Sequence, residues 1–224
     1  MSITFSDVMN ELKQNGTAQN VKIYRRHGAK GDLFGVSFAH LKDLKKKIKV
    51  DQALAEQLWK TGNVDARTLA TMVADPKALT PATAEKWVKE ANYYIIADSL
   101  GGLVARTSMV RDKIMKWTKS KEEFVRQSGF STLASALKEG VELSRDDCRY
   151  ILSRIESEIH NSPNRARQAM NNALIAIGVF RPELSEDAVA AATRIGRVEV
   201  DHGDTSCKTP DAVSYIYKAL KRRK

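Results

Sequence analysis

The feature that most constrains the fold is a pair of short amphipathic helices between Asp51 and Pro76 (DQALAEQLWKTGNVDARTLATMVADP). Apolar residues recur at helical spacing in both segments, which gives two stripes: Leu54, Leu58 and Trp59, then Leu69, Met72 and Val73. Gly62 is expected to end the first helix, and Asp65 to cap the second. Helices paired in this way are typical of an α-solenoid, whose concave face usually binds an elongated partner.

Signals for helix starts recur at short intervals along the rest of the chain. They stand at Thr4 or Ser6, Ser37, Asp51, Thr80-Pro81, Ser120 (with Glu123 as a capping box), Ser144 and Thr209-Pro210. Only residues 197–200 (RVEV) look strand-like, and we interpret them as an extended connector. About a dozen helices are predicted, in pairs that recur at roughly 40 residues, the period of HEAT-like arrays. The fold prediction is therefore all-α: one domain, residues 1–224, forming an α-solenoid of HEAT-like helix pairs with a concave basic face.

The charge balance favours an anionic partner. Lys and Arg number 37 and Asp and Glu 27, so the formal net charge is +10 and the pI is near 9.6. Nucleic acid is the first expectation and an acidic membrane surface the second, with a basic protein that has no such partner as the alternative. The two cysteines form no disulfide framework, and the N-terminus lacks a signal-peptide core. An intracellular, cytoplasmic protein without membrane spans is predicted.

One predicted helix, residues 92–106 (NYYIIADSLGGLVAR), combines an apolar face with a candidate functional face. Tyr94 and Asp98 stand one turn apart and therefore share a side of the helix. Gly101 and Gly102 follow, although each glycine in a helix interior costs about 1 kcal/mol relative to alanine. A bulky partner that approaches closely would explain them. Close contact between helices, or a break in the helix, would explain them equally.

Three stretches of the chain resemble a known family: YRRHGAKGDLFGVSF, LAEQLWKTGNVDARTLATMVADP and AEKWVKEANYYIIADSLGGLV. The resemblance is to the AlkD-like DNA alkylation repair family, which are HEAT-like-repeat DNA glycosylases that remove positively charged N3- and N7-alkylated purines. It is good from about Tyr24 to Lys138 and rests on helical layout beyond that. It implies a HEAT-like fold and hydrolysis of an N-glycosidic bond in double-stranded alkylated DNA, with no cofactor.

The resemblance also implies roles for individual residues. Asp98 matches the catalytic aspartate, and Tyr94 matches the aromatic one turn before it, which is usually tryptophan in the family. Gln127, with Arg126 adjacent, stands where the family has a basic residue that assists at the lesion strand. Asn172 stands where a second tryptophan is expected, so one wall of the family's aromatic cleft is missing.

Further DNA contacts are expected from cations on other helices. The candidates are Lys45 in the lysine-rich helix after the glycine loop, Arg149, and Arg165 with Arg167 near a helix start. A solvated outer face is the alternative for each. Asp201, His202, Asp204 and Cys207 contain metal-ligand types, but turns and a helix start explain the segment, so no metal is predicted. Trp59, Trp87 and Trp117 are interpreted as packing anchors.

The functional prediction is a DNA repair glycosylase, acting as a monomer on alkylated double-stranded DNA in the cytoplasm, and at the nucleoid if the protein is bacterial. Asp98 would stabilise the oxocarbenium ion, and Tyr94 would contact the lesion nucleotide. The first alternative is a non-catalytic HEAT-like paralogue that binds damaged or branched DNA. The second is a protein-interaction scaffold in which the positive charge has no role.

Overall fold

A computed structural model describes residues 3–222, and helices account for nearly all of the regular structure in that range. No strand is formed there, and a lone bridge joins Gly16 to Val36. Short 3₁₀ turns cover Ile159–Asn161 and Pro182–Leu184. The α-helices are α1 (Phe5–Gln14), α2 (Ala18–Arg26), α3 (Phe38–Ile48), α4 (Gln52–Lys60), α5 (Val64–Val73), α6 (Pro81–Glu90), α7 (Tyr94–Val104), α8 (Val110–Trp117), α9 (Glu123–Lys138), α10 (Arg145–Glu158), α11 (Asn164–Phe180), α12 (Ser185–Ile195) and α13 (Ala212–Lys221).

Most of the predicted helix starts are confirmed by hydrogen bonds from the capping side chains. Ser37, Asp51, Thr80 and Ser144 each accept a backbone N–H from the first turn of their helices. Thr4 caps α1 in a reciprocal capping box. The prolines and glycines between these helices end them close to the expected positions, so local chemistry determines most boundaries.

Three predicted caps are wrong. Asn63, not Asp65, caps α5, because its side-chain oxygen accepts the first free backbone N–H groups of that helix. Ser120 accepts the N–H of Glu122 in the turn before α9 and forms no capping box. The last helix is capped by Asp211, two residues after Thr209. For α5 and α13 a neighbouring polar side chain takes the capping position, whereas Glu122 precedes α9 without a side-chain cap.

The helices stack as pairs in two layers, which confirms the all-α, HEAT-like prediction. The pairs are α4–α5, α6–α7, α8–α9, α10–α11 and α12–α13. Within one layer α5, α7, α9, α11 and α13 pack on one another in order. The preceding helix of each pair lies behind, in the second layer. Cross-repeat ion pairs in the second layer join residues 36 to 38 positions apart: Arg111–Asp147, Arg149–Asp187 and Arg194–Glu156.

The apolar interior follows this stack in two clusters. One is built mainly from α1 and α3–α7, and the other from α8–α13. Both include residues of α8 and α9. Trp59 and Trp87 stack face to face with ring centroids 4.4 Å apart, and Trp117 is equally buried. The three tryptophans are therefore packing anchors, as expected. No helix between residues 3 and 222 is long and apolar enough to cross a membrane.

Gly101 and Gly102 lie inside a continuous helix, α7, and only the first has a packing reason. A Cβ added at Gly101 would meet Ser131 Cβ at 2.8 Å and the backbone N of Thr132 at 2.9 Å on α9. At Gly102 the nearest atom would be Ser135 Oγ at 3.8 Å. Close contact between α7 and α9 is thus the correct explanation for Gly101, and it brings Asp98 within reach of α9.

Candidate functional site

Asp98 lies at the floor of a cleft of about 270 Å³ on the layer formed by α7, α9 and α11. The helices place five polar or aromatic side chains on it: Tyr94, Asp98, Gln127, Arg165 and Asn172. Gln168 of α11 and His27, just after α2, also line it. The remaining wall comes from the segment before α13, which contributes His202, Cys207 and Lys208. The cleft therefore joins residues from both ends of the chain.

The Asp98 carboxylate is oriented by two donors from α9. Ser131 Oγ donates to Asp98 Oδ1 at 2.5 Å, and Gln127 Nε2 donates to the same oxygen at 2.8 Å. Gln127 Nε2 also donates to the carbonyl oxygen of Tyr94 at 2.9 Å. Within residues 3–222 no hydrogen bond is donated to Oδ2 of Asp98. One oxygen of the carboxylate is therefore fixed, and the other is available to a ligand.

The electrostatic setting of Asp98 reflects its place in a concave surface. The side chain reaches solvent, but protein atoms surround it closely on its other sides. This desolvation raises the pKa of the Asp98 carboxyl above its usual value, while the hydrogen bonds from Ser131 and Gln127, and then the charge of Arg165, oppose the rise. The carboxylate can therefore interact with a charge that develops on its accessible side, where water partly screens the interaction.

Arg165 stacks on Tyr94 inside the cleft. Its guanidinium carbon lies 4.6 Å from the centroid of the Tyr94 ring, which is a cation–π contact. Tyr93 packs edge-on against the same ring, with centroids 4.8 Å apart. The side chain of Arg165 also donates to the carbonyl oxygen of His27 at 3.1 Å. The aromatic side chain that faces the cleft is therefore already in contact with a cation.

The segment between α12 and α13, here called the C-terminal loop (residues 196–211), folds over one side of the cleft. Asn164 holds its start through two hydrogen bonds of 2.7 Å with the backbone of Asp201. Asn171 holds its end by donating to the carbonyl oxygen of Pro210 at 3.0 Å. Residues 197–200 form no strand and connect α12 to the rest of the loop.

The possible metal ligands of the C-terminal loop have other partners. Asp201 Oδ1 accepts the N–H of Gly203 at 2.7 Å, which is the expected turn. His202 Nε2 lies 3.1 Å from Thr209 Oγ1, and Asp204 pairs with Arg26 at 3.8 Å. In the described part of the chain, no three His, Cys, Asp or Glu residues are grouped so that they could hold a metal ion.

Five of the predicted site residues converge on this cleft, and four do not. Arg126 is 9% exposed and pairs with Glu158, so its guanidinium faces away from solvent. Arg149 lies in the second layer and pairs with Asp187. Arg167 lines a separate, larger cleft of about 1120 Å³ between α11, α12 and the C-terminal loop. Lys45 is exposed on α3, away from Asp98.

The contacts with DNA expected for Arg126 and Arg149 stay predictions. Gln127 is 2% exposed and donates to Asp98, so it orients that carboxylate. Asn172 is exposed in the cleft. Its amide stands where the family resemblance implies a second tryptophan.

Several cleft residues were not anticipated. Ser131 stands one helical turn after Gln127, so spacing along α9 could have indicated it. His27, Gln168, His202, Cys207 and Lys208 reach the cleft through tertiary contacts, and no local pattern marks them.

Comparison with known proteins identifies the family. A family model described as DNA alkylation repair enzyme matches residues 8–216. The chain belongs to this family. Two uncharacterized proteins are similar to it throughout. One, from Listeria innocua, is 28% identical over 98% of this chain and 99% of its own. The other, from Listeria monocytogenes, is 28% identical over 99% of this chain and 100% of its own.

A solved structure resembles the whole chain. Its TM-score is 0.88 at 33% sequence identity, and the match covers 100% of this chain and 95% of the other. That protein is described as belonging to a new family of proteins related to the HEAT-like repeat DNA glycosylases with affinity for branched DNA structures. Membership of the DNA alkylation repair family and the HEAT-like fold are therefore both established for this chain.

Proposed function

We propose that this member of the DNA alkylation repair family binds branched DNA, and that base excision is not its main activity. The solved relative that matches the whole chain is described as related to the glycosylases and as having affinity for branched DNA. A net charge of +10 supports an electrostatic contribution from the phosphate backbone. Both points favour recognition of DNA shape by the helical layer that carries Asp98.

The observation that carries this proposal is the contact between Arg165 and Tyr94. By the resemblance described above, Tyr94 is the aromatic that would contact a cationic lesion. Its ring is instead covered by the guanidinium of Arg165 at 4.6 Å. Asn172 adds no aromatic wall on the opposite helix, and the C-terminal loop narrows the cleft. The site thus lacks a free aromatic surface for an alkylated purine.

A second candidate function, glycosidic bond hydrolysis, is favoured by the state of Asp98. Oδ1 is fixed by Ser131 and Gln127, while Oδ2 faces the cleft. An anion placed beside C1′ stabilises the oxocarbenium ion that forms as the bond to a cationic base breaks. The bonding electron pair leaves with the base, which becomes neutral. Water then adds to C1′ and releases a proton.

Binding and excision measured side by side distinguish the two functions. Fluorescence anisotropy would compare a four-way junction, a flap and a linear duplex of equal length at several salt concentrations. We expect the branched forms to bind at least about tenfold more tightly than linear duplex, with affinity that falls steeply as salt is added. Asp98→Asn removes a negative charge that faces the DNA, so its affinity should be unchanged or slightly higher.

The same two proteins would then be incubated with methylated duplex DNA, and free 7-methylguanine would be measured. Release by the wild type that is lost in Asp98→Asn would establish the glycosylase instead. Equal affinity for linear and branched DNA would contradict the proposal directly. The variant Ser131→Ala offers a graded test of the catalytic alternative, because it removes one of the two donors to Oδ1 of Asp98 and leaves the carboxylate in place.

A further inference from the structure

Arg165 is held in the cleft at both ends. Its backbone N–H donates to Glu123 Oε1 at 2.7 Å, and its Nη2 donates to the carbonyl oxygen of His27 at 3.1 Å. No carboxylate in the described range 3–222 lies within ion-pair distance of its guanidinium. The guanidinium of Arg165 is therefore fixed in position without a direct ion pair, and Asp98 in the same cleft acts on its charge only at longer range.

The guanidinium of Arg165 covers the face of the Tyr94 ring that a cationic base would need. The guanidinium carbon of Arg165 lies 4.6 Å from the centroid of the Tyr94 ring. The ring centroids of Tyr93 and His27 lie 4.8 and 6.0 Å from the same centroid. A cationic ligand is attracted to a free aromatic face and is repelled by a like charge at short range. Beside Tyr94 it would find the face occupied and the like charge present.

The remaining groups suit an uncharged base. Asp98 Oδ2 can accept N–H groups, and Arg165 can donate to a carbonyl or ring nitrogen. Gln168 and Asn172 add adjacent amides, with Gln168 Nε2 3.4 Å from Asn172 Oδ1. Guanine presents both N–H donors and acceptor atoms at its edges, which matches this set. A cleft of about 270 Å³ lies just below the usual range for small-molecule sites, so it fits one base rather than a larger ligand.

We propose that the Asp98 cleft accepts one unpaired, uncharged base at the branch point of bound DNA, and that Arg165 is the residue that excludes cationic alkylated bases. The inference rests on the proposed binding of branched DNA and adds the chemical class of the base that is held. Arg165 therefore determines the selectivity of the cleft. Its guanidinium hydrogen-bonds to a neutral base and repels a charged one.

The test uses two three-way junctions that differ in one unpaired residue at the branch point, guanine in one and cationic 7-methylguanine in the other. Fluorescence anisotropy gives the affinity for each. The wild type should prefer the guanine junction by about tenfold. Arg165→Gln should lose most of this preference. Arg165→Lys, which retains the charge, should keep most of it.

Arg167→Gln is the matched control, because it removes the same charge from the same helix but at a different cleft. It should change the affinity for both junctions by the same factor and leave the preference intact. If Arg165→Gln behaves like this control, Arg165 is only a phosphate contact and the inference is wrong. Thermal melting would confirm that each variant is folded.

A failure of the proposed binding to branched DNA can be distinguished from a failure of the inference about the cleft. If the wild type binds junctions no better than linear duplex, the branched-DNA proposal fails, and free nucleosides then test the cleft. Guanosine and cationic 7-methylguanosine would be titrated while NMR signals of Tyr94 and Asn172 are followed. Guanosine should shift these signals in the wild type, whereas 7-methylguanosine should do so only in Arg165→Gln. Absence of guanosine binding, or equal binding of both nucleosides, would overturn the inference.

Discussion

Asp65 shows how a single buried carboxylate can organise a loop from a distance. Its Oδ2 accepts the backbone N–H groups of Phe34 and Gly35 at 2.6 and 3.0 Å, and its Oδ1 accepts that of Val36 at 3.0 Å. Burial raises the pKa of Asp65, and these hydrogen bonds oppose the rise. The glycine-containing loop that follows His27 is thus fastened to α5, near one wall of the cleft.

Asp65→Asn should therefore be strongly destabilising. The amide keeps one acceptor oxygen but turns an NH₂ group toward backbone donors, so at least one buried N–H loses its partner. We expect a loss of about 3 kcal/mol in the free energy of unfolding, measured by urea denaturation. Asp51→Asn is the control, because Asp51 accepts a single N–H as a helix cap and asparagine caps equally well. Similar losses in both variants would contradict the role assigned to Asp65.

At the scale of single residues, the sequence predicted only those cleft residues that helical spacing places on one face of a helix. Tyr94 and Asp98 share a face of one helix, and their conjunction was predictable. His27 and His202 belong to loops at opposite ends of the chain and meet through tertiary packing. The burial of Arg126 was equally unpredictable, because its partner Glu158 lies 32 residues away on another helix.

Among the helices, the contact between α7 and α9 controls the position of Asp98. Gly101→Ala should push these helices apart, because its Cβ would lie 2.8 Å from Ser131 Cβ and 2.9 Å from a backbone nitrogen. We expect a loss of about 1–3 kcal/mol in the free energy of unfolding, as for other overpacked sites, with a weaker Ser131–Asp98 hydrogen bond.

Gly102→Ala is the matched comparison in the next position. Its nearest neighbour would be Ser135 Oγ at 3.8 Å, so alanine fits and should stabilise the helix by up to about 1 kcal/mol. Urea denaturation of the two variants measures both effects. Equal changes in the same direction would show that packing on α9 is not what requires Gly101.

Capping side chains predicted several helices, and an apolar face predicted α7, which has no side-chain cap. Helix α8 was not predicted: Met109 precedes it without a side-chain cap. Its apolar stripe is also interrupted by Lys113, which is 6% exposed and donates to Glu85 at 2.6 Å. Burial raises the pKa of Glu85, but hydrogen bonds from Lys113, Lys116 and Trp117 outweigh this and lower it to about 2. The sequence alone does not distinguish a buried lysine that has a carboxylate partner from a lysine on the surface.

On the scale of the whole molecule, the two ends of the helical stack meet beside the cleft. Arg165 of α11 bonds to His27, 138 residues earlier, and Gly203 of the C-terminal loop lies against the carbonyl of Arg26. The repeat period predicted a stack of helix pairs, which was correct. It could not predict these contacts, because each joins a helix to a loop that lies outside the repeats.

The groups at this junction make its stability depend on pH. Burial lowers the pKa of His27 below its usual 6.5, and the charges of Arg165 and His202 lower it further. Nδ1 of His27 is buried without a hydrogen-bond partner, so a proton there would have no acceptor. Burial and Arg165 also lower the pKa of His202, against a smaller opposing effect of Asp201. The other titratable groups that line the same cleft are Tyr94, Asp98, Cys207 and Lys208.

The unfolded chain should therefore bind more protons than the folded one just below pH 6.5, and stability should fall as the pH decreases through that interval. Because the added charges would lie beside Arg165, the C-terminal loop should open before the helices unfold. Hydrogen exchange of residues 201–208, measured at pH values above and below 6.5, would detect this opening. Replacing His27 and His202 by glutamine should make the hydrogen exchange of residues 201–208 depend less on pH. If the loop exchanges equally fast at both pH values in the wild type, the two histidines do not hold the ends of the stack together.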